Sequence, residues 1–228
     1  AADTILPRVN SVSSSASNGL YKIGDILNIN PTFSEAVFVS GAPAILMETG
    51  TSDASATYSA GSGASTLNFA YQIRSGDTAT DLDYNSVNAL SLNGGAVVDD
   101  VGNAAVLTLP VPGAVNSLGA NKSIQIDGFA PSGYSVAIDQ VLINEDNETA
   151  FSYVLSGAEI GTTYQYQITS SGGGSAVVGN GAVSTATQNS PTINVSSLAQ
   201  GLLTLSVTLT DFAGNIGTAA TDTVTKQY

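Results

Sequence analysis

The sequence predicts an all-β chain in two similar halves, and three observations carry that reading. Apolar residues recur at spacing two rather than at three and four, and few runs of ten escape Gly, Pro or a Ser/Thr/Asn cluster. Turn residues punctuate the chain roughly every 8 to 12 positions. Two patterns each occur twice: Asp-x-x-Gly-Asn at 99–103 (DDVGN) and 211–215 (DFAGN), and Asp-x-x-x-Pro at 3–7 and 127–131. Short strands so punctuated are the signature of an immunoglobulin-like sandwich, and the repeats predict two in tandem, 1–127 and 128–228.

Taken in order, strands are predicted near 8–12, 26–33, 37–39, 44–48, 56–58, 66–73, 89–92, 96–98 and 104–109. Asn18-Gly19, Ser75-Gly76-Asp77 and Asn93-Gly94-Gly95 supply turn chemistry between them. The segment 117–122 (SLGANK) leads into a last short strand, 124–126, that ends at Asp127. The second half restarts with strands near 134–138, 150–155, 163–168, 175–178, 181–185, 192–195, 202–209 and 216–224. The first half is the longer, and its extra residues fall in loops 13–25 and 50–83, where insertions cost little stability.

Composition removes several function classes. With 18 acidic against 5 basic residues and a net charge of −13, a phosphate-binding surface is excluded, so nucleic acid is no partner. Cys and His are both absent, which removes disulfides, thiolate chemistry, the commonest general base and the usual transition-metal ligands. Any metal must be a hard, oxygen-bound one. Trp is absent too, which disfavours an aromatic sugar platform. No Gly-rich phosphate loop precedes a helix, and 172–174 (GGG) sits between strands, where flexibility accounts for it. The chain is read as no enzyme, with no small-molecule substrate. No apolar run is long enough to insert in a membrane, and Ala1 in place of Met reads as the start of a piece cut from a longer protein. The acidic, Cys-free, Ser/Thr/Gly-rich makeup predicts a secreted protein at a bacterial cell surface.

In a seven-stranded sandwich each strand crosses the domain once, so alternate loops gather at opposite poles. The chain enters at the pole of the BC and FG loops. There the first domain offers Asp3, Glu35 in a BC loop at 34–36, and Asp99 and Asn103 of the FG hairpin. The second offers Asp127, Glu159, Asp211 and Asn215. Three carboxylates with an amide oxygen and loop carbonyls meet the six to eight oxygens that Ca2+ takes, and the Gly before each Asn allows the positive φ that turns oxygens inward. The same residues are also the ordinary makings of a tight hairpin, and both readings can hold at once. Asp77, Asp81 and Asp83 lie in an EF loop at the opposite pole, where Asp81 or Asp83 could reach an ion held by Asp127; alternatively these aspartates face water while Leu82 and Tyr84 point inward, Tyr84 as a tyrosine-corner donor. Residues 144–148 (NEDNE) either face a following module or form a solvated acidic loop.

Several stretches carry a family resemblance: YKIGDILNINPTFSEAVFVSG, TLNFAYQIRSGDTATDLDY, DDVGNAAVLTLP and SLGANKSIQIDG in the first half, and AFSYVLSGAEIGTTYQYQITSSGGG and LSVTLTDFAGNIGTA in the second. Together they resemble the Ig-like, cadherin-like repeats of giant calcium-dependent RTX adhesins exported by type I secretion. The resemblance implies extender modules whose partners are neighbouring Ig-like repeats of the same chain, stiffened by calcium at the linkers and supporting cell adhesion and biofilm formation. It implies ligands Asp127, Glu159, Asp211 and Asn215 at the middle joint, and Asp3, Glu35, Asp99 and Asn103 at the front. The C-terminal TVTKQY departs from the repeats' linker signature. The alternative is a module that recognises a glycan or protein through loops 50–63 or 172–181; their bland Ser/Ala/Gly makeup argues against it.

Overall fold

The computed structural model describes residues 3–228 and divides after Phe129 into two compact units. Regular structure is almost wholly β. The first unit contains β1 (Val9–Ser14), β2 (Gly19–Lys22), β3 (Ile26–Ser40), β4 (Ala44–Met47), β5 (Ala54–Ala60), β6 (Ala64–Thr66), β7 (Asn68–Gln72), β8 (Thr78–Ala79), β9 (Leu90–Ser91), β10 (Ala96–Val98), the single turn α1 (Leu118–Asn121) and β11 (Ile124–Asp127). One sheet runs β1-β3-β7-β5-β4-β9, with β6 and β10 also paired to β3. A second runs β2-β11-β8, β11 lying parallel to β2.

β3 organises this unit. Its alternation buries Leu27, Ile29, Phe33 and Val37 on one side, where they join Ile45, Phe69, Tyr71, Leu118 and Ile124 in the core. Residues 34–36, expected as the BC loop, are the middle of this strand instead. The Ser34 N–H donates to the Arg8 carbonyl and the Arg8 N–H to Ser34 Oγ, which carries the extended backbone past the end of its pairing with β1. Against β6 the register slips between the Thr32–Thr66 and Val37–Ala64 pairs, a bulge that absorbs the polar residues without ending the strand. Glu35 therefore stands on the same side of β3 as Phe33 and Val37. Tyr84 is buried, but its O–H donates to the Pro110 carbonyl at 2.6 Å, 26 residues downstream, and so ties two distant segments rather than a local corner.

The second unit contains β12 (Ser135–Ile138), β13 (Tyr153–Ser156), β14 (Thr163–Ser170), β15 (Val177–Ala182), β16 (Thr187–Asn189), β17 (Gly201–Thr210) and β18 (Ala220–Lys226). They form sheets β12-β13-β16 and β15-β14-β17-β18 around Phe151, Leu155, Ile168, Leu203, Leu205 and Val207. Seven antiparallel strands in two sheets over one core are an immunoglobulin-like sandwich. β15 carries Gly179 and Gly181 opposite Tyr166 and Tyr164 of β14, and the tyrosine rings lie where Cβ atoms would be. A ring from the neighbouring strand thus covers backbone that glycine leaves bare. The glycines 172–174 are exposed yet run close to neighbouring backbone, and Gly173 is hydrogen-bonded to Ser170 and Ala199. Gly172 and Gly174 abut the backbone of Gln200 and Ser197, and Gly173 and Gly174 have φ of 102° and 99°.

A cation missed in the sequence locks the end of this unit. Lys226 shares the inward side of β18 with Val224 and is 1% exposed. Its Nζ donates to the carbonyls of Val195 (3.0 Å) and Leu198 (2.8 Å) and pairs with Glu148 at 2.7 Å. The Tyr228 O–H donates to the same carboxylate. Burial alone would lower the ammonium pKa, but the hydrogen bonds with Glu148 and Tyr228 raise it above its ordinary 10.5. Hydrogen bonds from Lys226 and Tyr228 hold Glu148 below its ordinary 4.5.

Two outcomes are expected. The stability contributed by Glu148 is present above pH 4.5 and lost as pH falls through its lowered folded pKa; that of Lys226 is present below 10.5 and lost as pH rises through its raised one. Lys226→Met should lower the melting temperature of the second unit, abolish the alkaline limb contributed by Lys226 and weaken the acidic limb that Tyr228 still supports, in calorimetry across pH; an unchanged pH profile would remove the lock. Tyr153 is 1% exposed, contacts the Tyr166 ring edge-on at 6.0 Å, and its O–H is the one buried side-chain group without a partner among the described residues. Tyr153→Phe should therefore stabilise the second unit by about 1 kcal/mol in denaturant titrations, whereas a loss would show that the hydroxyl is satisfied.

Candidate metal centre

The repeated Asp-x-x-Gly-Asn pattern folds into the same self-closed loop twice. In 99–103, Asp99 Oδ1 accepts from the N–H groups of Val101 (3.0 Å) and Asn103 (2.7 Å), and Asp99 Oδ2 accepts from Asn103 Nδ2 at 2.6 Å. The Asp99 N–H donates to the Asn103 carbonyl, and Gly102 takes φ 94°. In 211–215, Asp211 Oδ1 accepts from Gly214 (2.7 Å) and Asn215 (2.8 Å), Asp211 Oδ2 accepts from Asn215 Nδ2 at 2.9 Å, the Asp211 N–H donates to the Asn215 carbonyl, and Gly214 takes φ 95°. The Asp serves as an internal cap for the loop's own N–H groups, and the glycine supplies the left-handed residue that closes it. The Asp-x-x-x-Pro pattern is equally repeated in geometry. Asp3 Oδ1 accepts from the Ile5 N–H at 2.9 Å, and Asp127 Oδ1 from the Phe129 N–H at 3.0 Å.

In the first unit these two motifs meet. Asn103 Nδ2 donates to the Asp3 carbonyl at 3.1 Å as well as to Asp99, so the entering chain is tied to the hairpin. The Asn103 side chain, expected as an oxygen ligand, thereby acts as the donor that joins two acidic residues. Glu35 arrives from the middle of β3. One carboxylate oxygen each from Asp3, Glu35 and Asp99 lies within 4.8 Å of the other two, the single group of three carboxylates so close among the described residues.

The three are not electrostatically alike. Asp99 is 2% exposed, and burial pushes its pKa up, but the hydrogen bonds from Asn103, Val101 and Gly102 outweigh it and hold the carboxyl below its ordinary 3.8. Glu35 is raised above 4.5, by desolvation first and then by the charges of Asp3, Asp99 and Asp100. Among the described residues its carboxylate has neither a hydrogen bond nor an ion pair. Hence the group contains one charge stabilised by the fold and one that the fold leaves uncompensated.

The other candidate residues are placed differently. Asp83 Oδ1 accepts from the Tyr84 N–H and Asp83 Oδ2 from the N–H groups of Gly113 and of Gly119 in α1, so both oxygens serve backbone. Asp81 lies beside it, against Gly119. Asp77, expected to face water, is 5% exposed and accepts from the Tyr71 O–H (2.8 Å) and the Arg74 N–H (2.9 Å). Asp127 ends β11, paired in register with Lys22 and Thr78. Glu159 is exposed in the second unit, and its carbonyl accepts from Thr162 Oγ1. No helix among the described residues is long and apolar enough to cross a membrane.

No protein-family model matches the chain, and no curated protein matches it. Among solved structures it is similar to a tetra-tandem repeat in the extending region of a large adhesion protein, at 19% identity over 96% of this chain and 49% of that one, with a TM-score of 0.37. It is also similar to a 1.5-MDa bacterial ice-binding adhesin, described for host cell surface retention, at 14% identity over 94% and 63% of the two chains, TM-score 0.37. A third comprises fibronectin(III)-like modules of Clostridium thermocellum CbhA, at 12% identity over 95% and 94%, TM-score 0.37. The chain spans about half the length of the first of these and less than two thirds of the second.

Because Asp211 satisfies the hairpin that it begins, Asp211→Ala should cost the second unit about 1–3 kcal/mol, the usual penalty for orphaned N–H groups. Gly214→Ala, at φ 95°, should cost about 1 kcal/mol or more. Denaturant midpoints that stay at the wild-type value would show that the loop is held by something else.

Proposed function

We propose that the chain is a pair of structural extender modules from a large bacterial cell-surface adhesin, stiffened by Ca2+ at the linker ends of its modules and supporting adhesion and biofilm formation outside the cell. The observation that carries the reading is the convergence of Asp3, Glu35 and Asp99 within 4.8 Å. Calcium–oxygen distances of roughly 2.3–2.6 Å allow two ligands of one ion to stand up to about 5 Å apart, so the spacing fits a shared cation. Glu35, unpaired and repelled by its neighbours, is the group that a cation would relieve. Asp3 lies in the linker, Asp99 in the hairpin and Glu35 in the sheet, so an ion held by all three fixes the entering chain to the body of the module. In the second half, Asp127, Glu159, Asp211 and Asn215 are proposed as ligands on the strength of the sequence repeat, with Asp81 and Asp83 as additional candidates on sequence grounds. The partners are neighbouring modules of the same chain. With no His or Cys for base or thiol chemistry, the role is mechanical rather than catalytic.

Calcium should raise the melting temperature of the first unit and a chelator should lower it, by RT ln(1 + [L]/Kd), about 2.7 kcal/mol at 100-fold saturation. Magnesium should substitute poorly, because it demands a tighter octahedron. The pH dependence follows from Glu35: its raised pKa means that repulsion in the ion-free protein is absent below pH 4.5 and grows in as pH rises through the folded value, so calcium should stabilise most above that value and least at pH 4. Glu35→Gln should stabilise the protein in chelator at neutral pH and blunt the calcium response. Melting curves that coincide in calcium and chelator would sink the ion site. The extender role is tested by small-angle scattering: calcium should narrow the interatomic distance distribution of the wild type, and a distribution indifferent to calcium would leave the stiffening without support.

A further inference from the structure

The outward face of the β15-β14-β17 sheet in the second unit is shaped differently from any acidic part of the chain. It carries a concavity of about 510 Å³ whose side chains are Gln165 and Gln167 of β14, Val178 and Asn180 of β15, and Ser206 and Thr208 of β17. The register sets them in two rows across three strands, Asn180–Gln165–Thr208 and Val178–Gln167–Ser206. The rows stand about 6.8 Å apart along the strands, and the strands about 4.8 Å apart. Five of the six side chains can both donate and accept hydrogen bonds. Among the described residues none of those five makes one, although elsewhere Gln140, Gln188 and Asn194 are bound to neighbouring backbone.

We propose that this concavity binds a neutral glycan laid across the three strands. The chemistry of the lining selects the occupant. No side chain in it ionises, while the chain as a whole carries −13, so an anionic polymer is repelled and has no cation to meet. A cationic partner would find its complement at the carboxylates instead. A folded protein partner usually needs buried aromatic or Arg anchors; the one aromatic residue of the lining, Tyr166, turns its ring to the inner face, over Gly179 and against Tyr153, and the lining has no Arg. An apolar molecule would meet only Val178, which is 66% exposed. What the two rows match is a ligand with many closely spaced, uncharged hydroxyls, each able to donate to a side-chain carbonyl oxygen and accept from an amide or hydroxyl. The backbone of Gln165 and Gln167 is paired with a strand on each side, so binding would have side chains alone to order. The site draws on no residue of the calcium reading and stands independently of it.

The test is an NMR titration of the full chain with maltohexaose, cellohexaose, laminarihexaose and mannohexaose, each to about 10 mM, a range that detects millimolar dissociation constants. At least one should give saturable shifts confined to the amides of 165–167, 178–180 and 206–208 and to the side-chain NH2 groups of Gln165 and Gln167. Gln165→Ala combined with Gln167→Ala should weaken that binding at least about tenfold, the scale of losing the hydrogen bonds of two amides, while leaving the melting temperature and the remaining resonances unchanged. The response should be the same in calcium and in chelator. No saturable shift with any of the four sugars overturns the proposal, as do shifts that persist in the double variant or an equal response to hexagalacturonate. Shifts of this face that follow protein concentration without sugar would assign it to self-association instead.

Discussion

A carboxylate that closes its own hairpin is the constraint on which the functional reading rests. In both Asp-x-x-Gly-Asn loops the Asp satisfies two backbone N–H groups and an Asn amide within five residues, so the loop needs no help from the rest of the fold. That local closure orients the carboxylate with no dependence on distant packing. A carboxylate has about four acceptor sites, and Asp99 uses three of them in its loop, which leaves capacity for one more partner. The hairpin residue and the cation ligand are therefore compatible roles for the same side chain.

Glu35 depends on the opposite kind of constraint. It is held by a long strand that continues through the bulge at Ser34, Glu35 and Ala36, and whose alternation of burial delivers a carboxylate to the side otherwise occupied by Phe33 and Val37. A charge there loses hydration without gaining a donor, which costs free energy unless it is neutralised by a proton or a cation. Asp3 completes the set through the Asn103 bridge. One member of the cluster is thus made comfortable by its loop, one is tethered by a neighbour, and one is left strained.

Much of this was legible in the sequence, and the exceptions have physical causes. Short-range chemistry read correctly: period-two alternation gave nearly all-β structure, and the two repeated motifs marked positions that fold into equivalent geometry. Contacts set by distant partners were not readable in the same way. The polar run Ser34-Glu35-Ala36 looks like a loop until β6 is seen pairing with β3 on both sides of it, at Thr32 and Val37, and Arg8 is seen bonding Ser34. Asp77 looks solvated until Tyr71 is placed over it, and the glycines 172–174 look flexible until the backbone of Gln200 and Ser197 lies against them. Lys226 did leave a signal, since the alternation of TDTVTKQY sets it on the face of Val224, but a lone lysine among threonines reads as solvated until three carbonyls and Glu148 surround it.

The self-closed hairpin also determines what an ion could add. Because Asp99 is already oriented by three local hydrogen bonds to its carboxylate, a cation arriving there has little ordering to impose. Its free energy would go instead into relieving Glu35 and fixing Asp3, the two members that the fold does not settle. Folding of the sandwich and fixing of the entering chain are then separate events, the first governed by the apolar core and the second by cation concentration. On the proposed reading, a module built this way would fold on its apolar core where calcium is scarce, and would gain both stability and a fixed entering chain where calcium is plentiful.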